Sequence, residues 1–252
     1  MEKDTGRLCR RYREGEAGLA GQLDDYAFLV QALLDLYEAD FDVAWLDAAE
    51  ALSRTQIALF RDAEGGGFFD AGAAEKNLLV RMKSDYDGAE PTGNSIAALN
   101  LLRLCRITAN EEWQTMAEHT IAAFASRLKE YPPILPQMLI AYDFSRRPLR
   151  QLVLVGEKDE PGTRQLLDVV HQRFLPDTVV LLADEKGGGR AWLARRQPLV
   201  AEMQRVGGRP TAYLCQDYTC GQPTSEPREL EKQLDSQTRM GKGGGHGHET
   251  TG

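Results

Sequence analysis

The sequence predicts a mainly α protein, with a partial (α/α) toroid of helical hairpins over residues 1–146 and a small α/β unit over 150–236. Three observations predict it. Residues 23–146 carry helical periodicity, residues 150–235 alternate short β-branched runs with helical ones, and the helical half repeats itself at an offset of 68 residues.

The repeat sets the first four helices. At that offset Leu33-Leu34-Asp35-Leu36 falls on Leu101-Leu102-Arg103-Leu104, Trp45 on Trp113, and Ala49-Glu50 on Ala117-Glu118. Helices are expected at 25–38 and 43–60 around the break Asp40-Phe41-Asp42, and at 94–107 and 111–128 around Asn110-Glu111-Glu112. The first helix of each copy is apolar over much of its circumference and should lie inside; the second carries more charge and should lie outside. Stacked hairpins cover each other's apolar faces. Part of a third hairpin is expected from Pro136 to Phe144.

The inner helices begin on acids. Asp24 and Asp25 align with Thr92 and Gly93 under the shift, so Asp24, Asp25, Asp85, Asp87 and Glu90 should approach one rim of the stack. Opposed carboxylates are what glycoside hydrolysis uses, one donating a proton and the other activating water or attacking. Helix capping is the simpler account, because short polar side chains and negative charge are favoured at helix starts. On that account Asn at 25 or 87 would still cap. Between the hairpins, Gly65-Gly66-Gly67 permits a tight backbone, and Phe68-Phe69 could pair with Leu78-Leu79-Val80 as a β-hairpin. Phe68, Phe69 and Tyr86 are candidates to stack on a sugar ring, or to seal the loop.

In the second half, strands are expected at 151–155, 178–182 and 211–215, and helices at 162–174, 190–205 and 226–235. Such alternation suggests a parallel sheet with helices packed on it. Cys215 and Cys220 close the third strand; four intervening residues do not make the redox Cys-x-x-Cys, and the pair is expected to be reduced. They remain weak redox candidates. Residues 237–252, which end in the Gly-rich GKGGGHGHETTG, are expected to be disordered, and His246 and His248 there lack the further ligands a metal site needs. No cofactor is implied.

Bulk properties exclude several classes. A net charge of -8 and a pI near 5.2 disfavour a nucleic-acid partner. No apolar run approaches the roughly 20 residues that span a bilayer, and the charged N-terminus is no secretory signal, so a cytoplasmic protein is expected.

The segments LDDYAFLVQALLDLYEADFD, EGGGFFDAG, DYDGAEPTGNSIAALNLLRL, YPPILPQMLIAYDF and GRPTAYLCQDYTC together carry a resemblance. Across about residues 7–235 the chain resembles thioredoxin-domain-containing proteins related to spermatogenesis-associated protein 20. That resemblance implies an N-terminal thioredoxin-like domain, then an (α/α)6 toroid similar to six-hairpin glycosidases and N-acylglucosamine 2-epimerases, then an α/β segment. Only the later toroid and the last segment are matched. No Cys-x-x-Cys occurs in the sequence. A six-hairpin ring is not expected to close within these residues, so a truncated, self-associating chain is expected. Two functions follow: carbohydrate binding or processing at the rim, glycosidase- or epimerase-like if active, or a non-catalytic scaffold for a thioredoxin-like domain.

Overall fold

A computed structural model describes residues 6–73, 75 and 78–240. His246 and His248 lie outside the described residues. Two compact units emerge, Met1–Leu149 with Arg195–Gln197, and Arg150–Ala194 with Pro198–Gly252.

The first unit opens with an antiparallel hairpin, β1 (Cys9–Arg13) and β2 (Glu16–Ala20), which the charged sequence did not suggest. Helices α1 (Leu23–Asp40), α2 (Val43–Phe60), α3 (Gly93–Thr108) and α4 (Glu111–Ala123) follow. The shift of 68 governs their ends as well as their apolar residues. Phe41 and Ala109, equivalent in the two copies, both adopt left-handed φ (58° and 53°) to end the inner helices. The next residues, Asp42 and Asn110, are likewise equivalent and cap α2 and α4, accepting from the N–H groups of Ala44 and Glu112. The expected long fourth helix is broken at Phe124, and α5 (Ala125–Glu130) continues separately. A short 3-10 turn, Pro132–Ile134, leads into α6 (Pro136–Arg146).

Each inner helix packs on its own outer helix and on the next inner one: α1 on α2 and α3, α3 on α4 and α6. Helix α3 is therefore buried on nearly every side, from Gly93 to Thr108. Helix α1 buries Leu23, Tyr26, Ala27, Val30, Leu33, Leu34 and Tyr37 but leaves Phe28, Leu29 and Leu36 exposed. The inner-helix expectation holds fully for α3 and on one side for α1. The expected strand pairing of 68–69 with 78–80 does not form. Phe68 instead bridges Arg61, Phe69 N donates to Phe60 O, and Asp70 N donates to Met82 O.

The second unit is a four-stranded sheet of order β4-β3-β5-β6. Strands β3 (Arg150–Val155) and β4 (Thr178–Ala183) are parallel, joined through α7 (Pro161–His171). Strand β5 (Thr211–Gln216) runs antiparallel to β3, correcting the wholly parallel expectation. Two short helices, α8 (Gly189–Arg196) and α9 (Pro198–Glu202), stand where one was expected. The two-residue β6 (Thr219–Cys220) and α10 (Pro227–Met240) complete the unit, the helix passing the expected boundary at 236. Beyond Arg150, the buried Gln151 and Thr178, the parallel strands are apolar runs, as expected of strands covered on both faces. Among the described residues no helix is long and apolar enough to cross a membrane.

Candidate functional site

The start of α3 lies beside the start of α1 and is tied to that of α6. Leu23 N donates to Asp70 O at 2.9 Å, fastening the α1 start to the loop between the hairpins. Gly93 opens α3 directly against α1: a Cβ there would lie 2.7 Å from Leu23 Cγ, so only glycine fits. Asp87 ties α3 to α6. Its Oδ1 accepts from Thr92 N at 2.7 Å, while its Oδ2 accepts from Gln137 N at 2.9 Å and Met138 N at 3.3 Å. Its own N–H donates to Ile134 O at 2.9 Å. Charge-assisted bonds of this kind are strong, and they satisfy N–H groups that a helix start cannot pair internally.

The other acids have separate partners. Asp25 Oδ2 accepts from Gln22 N at 2.8 Å, closing the first turn of α1, and Asp24 pairs with Arg10 at 2.8 Å. Asp85 pairs with Arg127 at 2.6 Å, a hydrogen bond that raises the guanidinium pKa. Glu90 is exposed on the surface. Asp87 is only 7% exposed, and backbone N–H groups occupy three of the roughly four lone-pair sites of its carboxylate. Four of the five acids, Asp24, Asp25, Asp85 and Asp87, are therefore occupied by arginine or backbone partners.

The aromatic candidates divide. Phe68 is fully buried, with its N–H donating to Asn94 Oδ1 and its carbonyl accepting from Asn94 Nδ2, both at 2.8 Å. It seals the loop and cannot stack on a ligand, which corrects its assignment as a binding residue. Asn94, the second residue of α3, is thus a buried clasp, while Thr92 caps the helix through Ser95 N. Phe69 lies under two cations, with Arg81 4.1 Å and Lys83 5.1 Å from its ring centre. Tyr86 is 63% exposed.

Sequence reasoning missed Asp62. Its Oδ1 accepts from the N–H groups of Glu64 and Gly65 at 3.0 Å, and its Oδ2 meets Lys83 Nζ at 2.7 Å. These bonds, the Gly65 N–H foremost and Lys83 next, lower the carboxyl pKa to about 2. The neighbouring Gly66 takes φ 71° with no room for a Cβ, which would lie 2.8 Å from His119 O. Asp62, Gly65–Gly67 and His119 border a cavity of about 380 Å³. The Asp-x-x-Gly spacing before a glycine run was the available signal. Among the described residues, no group of three His, Cys, Asp or Glu side chains is placed to hold a metal.

The structure also corrects the cysteines. Cys215 and Cys220 form a disulfide where a reduced pair was expected. Asp217 and Tyr218 both take left-handed φ, 48° and 61°, making the two-residue turn that sets Cys215 directly opposite Cys220. The spacing matched no redox motif, yet the hairpin brings the α-carbons within 3.9 Å. Cys9 and Cys105 are free.

No protein-family model matches the chain. Human spermatogenesis-associated protein 20 is 38% identical over 91% of this chain, and the rat protein of the same name is 38% identical over 93%. The chain is homologous to spermatogenesis-associated protein 20. An uncharacterized protein of Caenorhabditis elegans is 33% identical over 91% of the chain. The chain spans about 30% of the length of spermatogenesis-associated protein 20. The likeness runs through both the helical hairpins and the α/β unit, as 91% coverage requires.

Proposed function

We propose that the helical unit is a non-catalytic scaffold, a run of stacked hairpins from an α/α toroid within a longer protein. The observation that carries this is the engagement of buried Asp87 by three backbone N–H groups at the starts of two helices. A catalytic carboxylate must face a substrate and change its protonation or bonding during the reaction. This one holds α3 and α6 together. The exposed Phe28, Leu29 and Leu36 on α1 offer an apolar face for a further hairpin or a second copy. By the resemblance above, the domain served is thioredoxin-like and lies outside these residues.

Carbohydrate binding is the second reading, favoured by one observation: Tyr86 is exposed beside Asp85, on the same rim loop as Glu90. An open aromatic face with a neighbouring carboxylate suits a polyhydroxylated ring. A calorimetric screen of mono- and disaccharides against the chain separates the two. The scaffold reading expects no heat of binding. Saturable binding that disappears in both Tyr86→Ala and Asp85→Asn, with unchanged thermal stability, overturns it in favour of the second.

A further inference from the structure

The α/β unit contains a cleft unrelated to the rim acids. It opens beyond the carboxyl ends of the two parallel strands, where Val155 and Ala183 stand side by side in register. In open α/β sheets, this is the edge where loops diverge and ligands bind. The void measures about 310 Å³ and is bordered by Glu157, Glu185, Arg190, Gln204 and Arg205. That is room for a small metabolite.

The two arginines are held on one edge and loosely paired on the other. Arg190 Nη2 donates to the carbonyls of Met203 at 2.8 Å and Ala201 at 3.1 Å, while its Nε is 3.8 Å from Glu185. Arg205 Nη1 meets Glu160 at 2.8 Å, while its Nη2 is 3.9 Å from Glu157. The anchored edges fix the guanidinium planes. The loose edges belong to the pairs with the two glutamates that border the void. Charge-assisted bonds to a carboxylate or phosphate form at about 2.7–2.9 Å, so an anion in the cleft would replace long contacts with short ones. Glu157 and Glu185, released from the arginines, would then accept from hydroxyl groups on the same molecule.

We propose that this cleft binds a small hydroxylated organic phosphate, with the phosphate on Arg190 and Arg205 and its hydroxyls on Glu157 and Glu185. The site is a binding site in its own right, independent of the helical unit's role.

The test uses the full chain and two probes, glycerol 3-phosphate and inorganic phosphate, followed by backbone amide NMR. Glycerol 3-phosphate should shift the amides of Glu157, Glu185, Gln204 and Arg205 saturably, and bind more tightly than inorganic phosphate. Arg205→Met should weaken binding about tenfold or more, as loss of one charged hydrogen-bond partner does. Glu157→Gln should tighten inorganic phosphate binding by removing the competing charge, an outcome that mere damage to the fold would not produce. The proposal is overturned if millimolar glycerol 3-phosphate shifts none of these amides. It also fails if the shifts persist unchanged in Arg205→Met, or if Glu157→Gln weakens phosphate binding.

Discussion

Asp35 and Arg103 occupy the same position in successive repeats and are bonded to each other, Arg103 Nη1 donating to Asp35 Oδ1 at 2.7 Å. Arg103 also reaches Glu38 at 3.2 Å, so one mostly buried guanidinium bridges two acids of the preceding inner helix. Burial raises the pKa of Glu38, and the Arg103 charge counters part of that rise. Arg103→Met should lower the unfolding free energy by about 1–2 kcal/mol, a value kept small because both acids are partly solvated. A double-mutant cycle with Asp35→Asn should give a coupling of about 0.5–1 kcal/mol. Zero coupling in urea denaturation would mean that the repeat is held by apolar packing alone.

Asp87→Asn should be destabilising by about 1–3 kcal/mol, because an amide turns an NH2 group toward backbone donors that now face a carboxylate. The capping account read from sequence expected asparagine to be tolerated there. Glu90→Gln, on the exposed rim, should stay within about 0.5 kcal/mol of wild type. Equal denaturation midpoints for all three proteins would show that Asp87 does not hold α3 to α6.

Asp62 sets an acid limit for the glycine loop. Its pKa is lowered in the folded state to about 2, so the unfolded chain binds more protons and stability rises with pH in that window. The contribution is complete above the ordinary carboxylate value of about 3.9 and is lost as pH falls toward about 2. Titration of the Asp62 carboxyl carbon by NMR should show the depressed midpoint. In Lys83→Met the midpoint should move up but remain below ordinary, since the Gly65 N–H still donates. A midpoint at the ordinary value in wild type would contradict the loop geometry.

The cysteines should react in a fixed order. Cys9 is partly exposed and should alkylate first, whereas Cys105 is buried and its thiol pKa is pushed up to about 11 by that burial. Cys105 should therefore label only on unfolding. Cys215 and Cys220 should label only after reduction. Replacing both by alanine should cost about 2 kcal/mol, the loop entropy expected for so short a closure. Mass spectrometry after timed alkylation checks each step, and rapid labelling of Cys215 without reductant would overturn the disulfide.

The hairpins were legible because the repeat encodes them locally. Equivalent residues end the inner helices at Phe41 and Ala109 and cap the outer ones at Asp42 and Asn110, using chemistry confined to neighbouring residues. The strands β3 and β4 were legible for the same reason, since short continuous runs of Val and Leu follow from burial on both faces. Direction in the sheet was not. Whether β5 runs with or against β3 depends on where the chain returns after α9, which no local period records.

By itself the sequence determined the helices of the two hairpins, the strands β3, β4 and β5, and that the helical half is built twice on one plan, but not the β1–β2 hairpin or the break at Phe124. Only the tertiary structure decided what the candidate acids do. Asp87 and Glu90 are the same kind of residue three positions apart, yet one is buried and held by N–H groups from α3 and α6 and the other is open to solvent. The same holds for Cys215 and Cys220, joined because a two-residue turn sets them face to face. Helix and strand preferences are summed over near neighbours. The environment of a side chain is set by residues that the fold brings in from elsewhere, as Gln137 and Met138 are brought to Asp87 across fifty positions of chain.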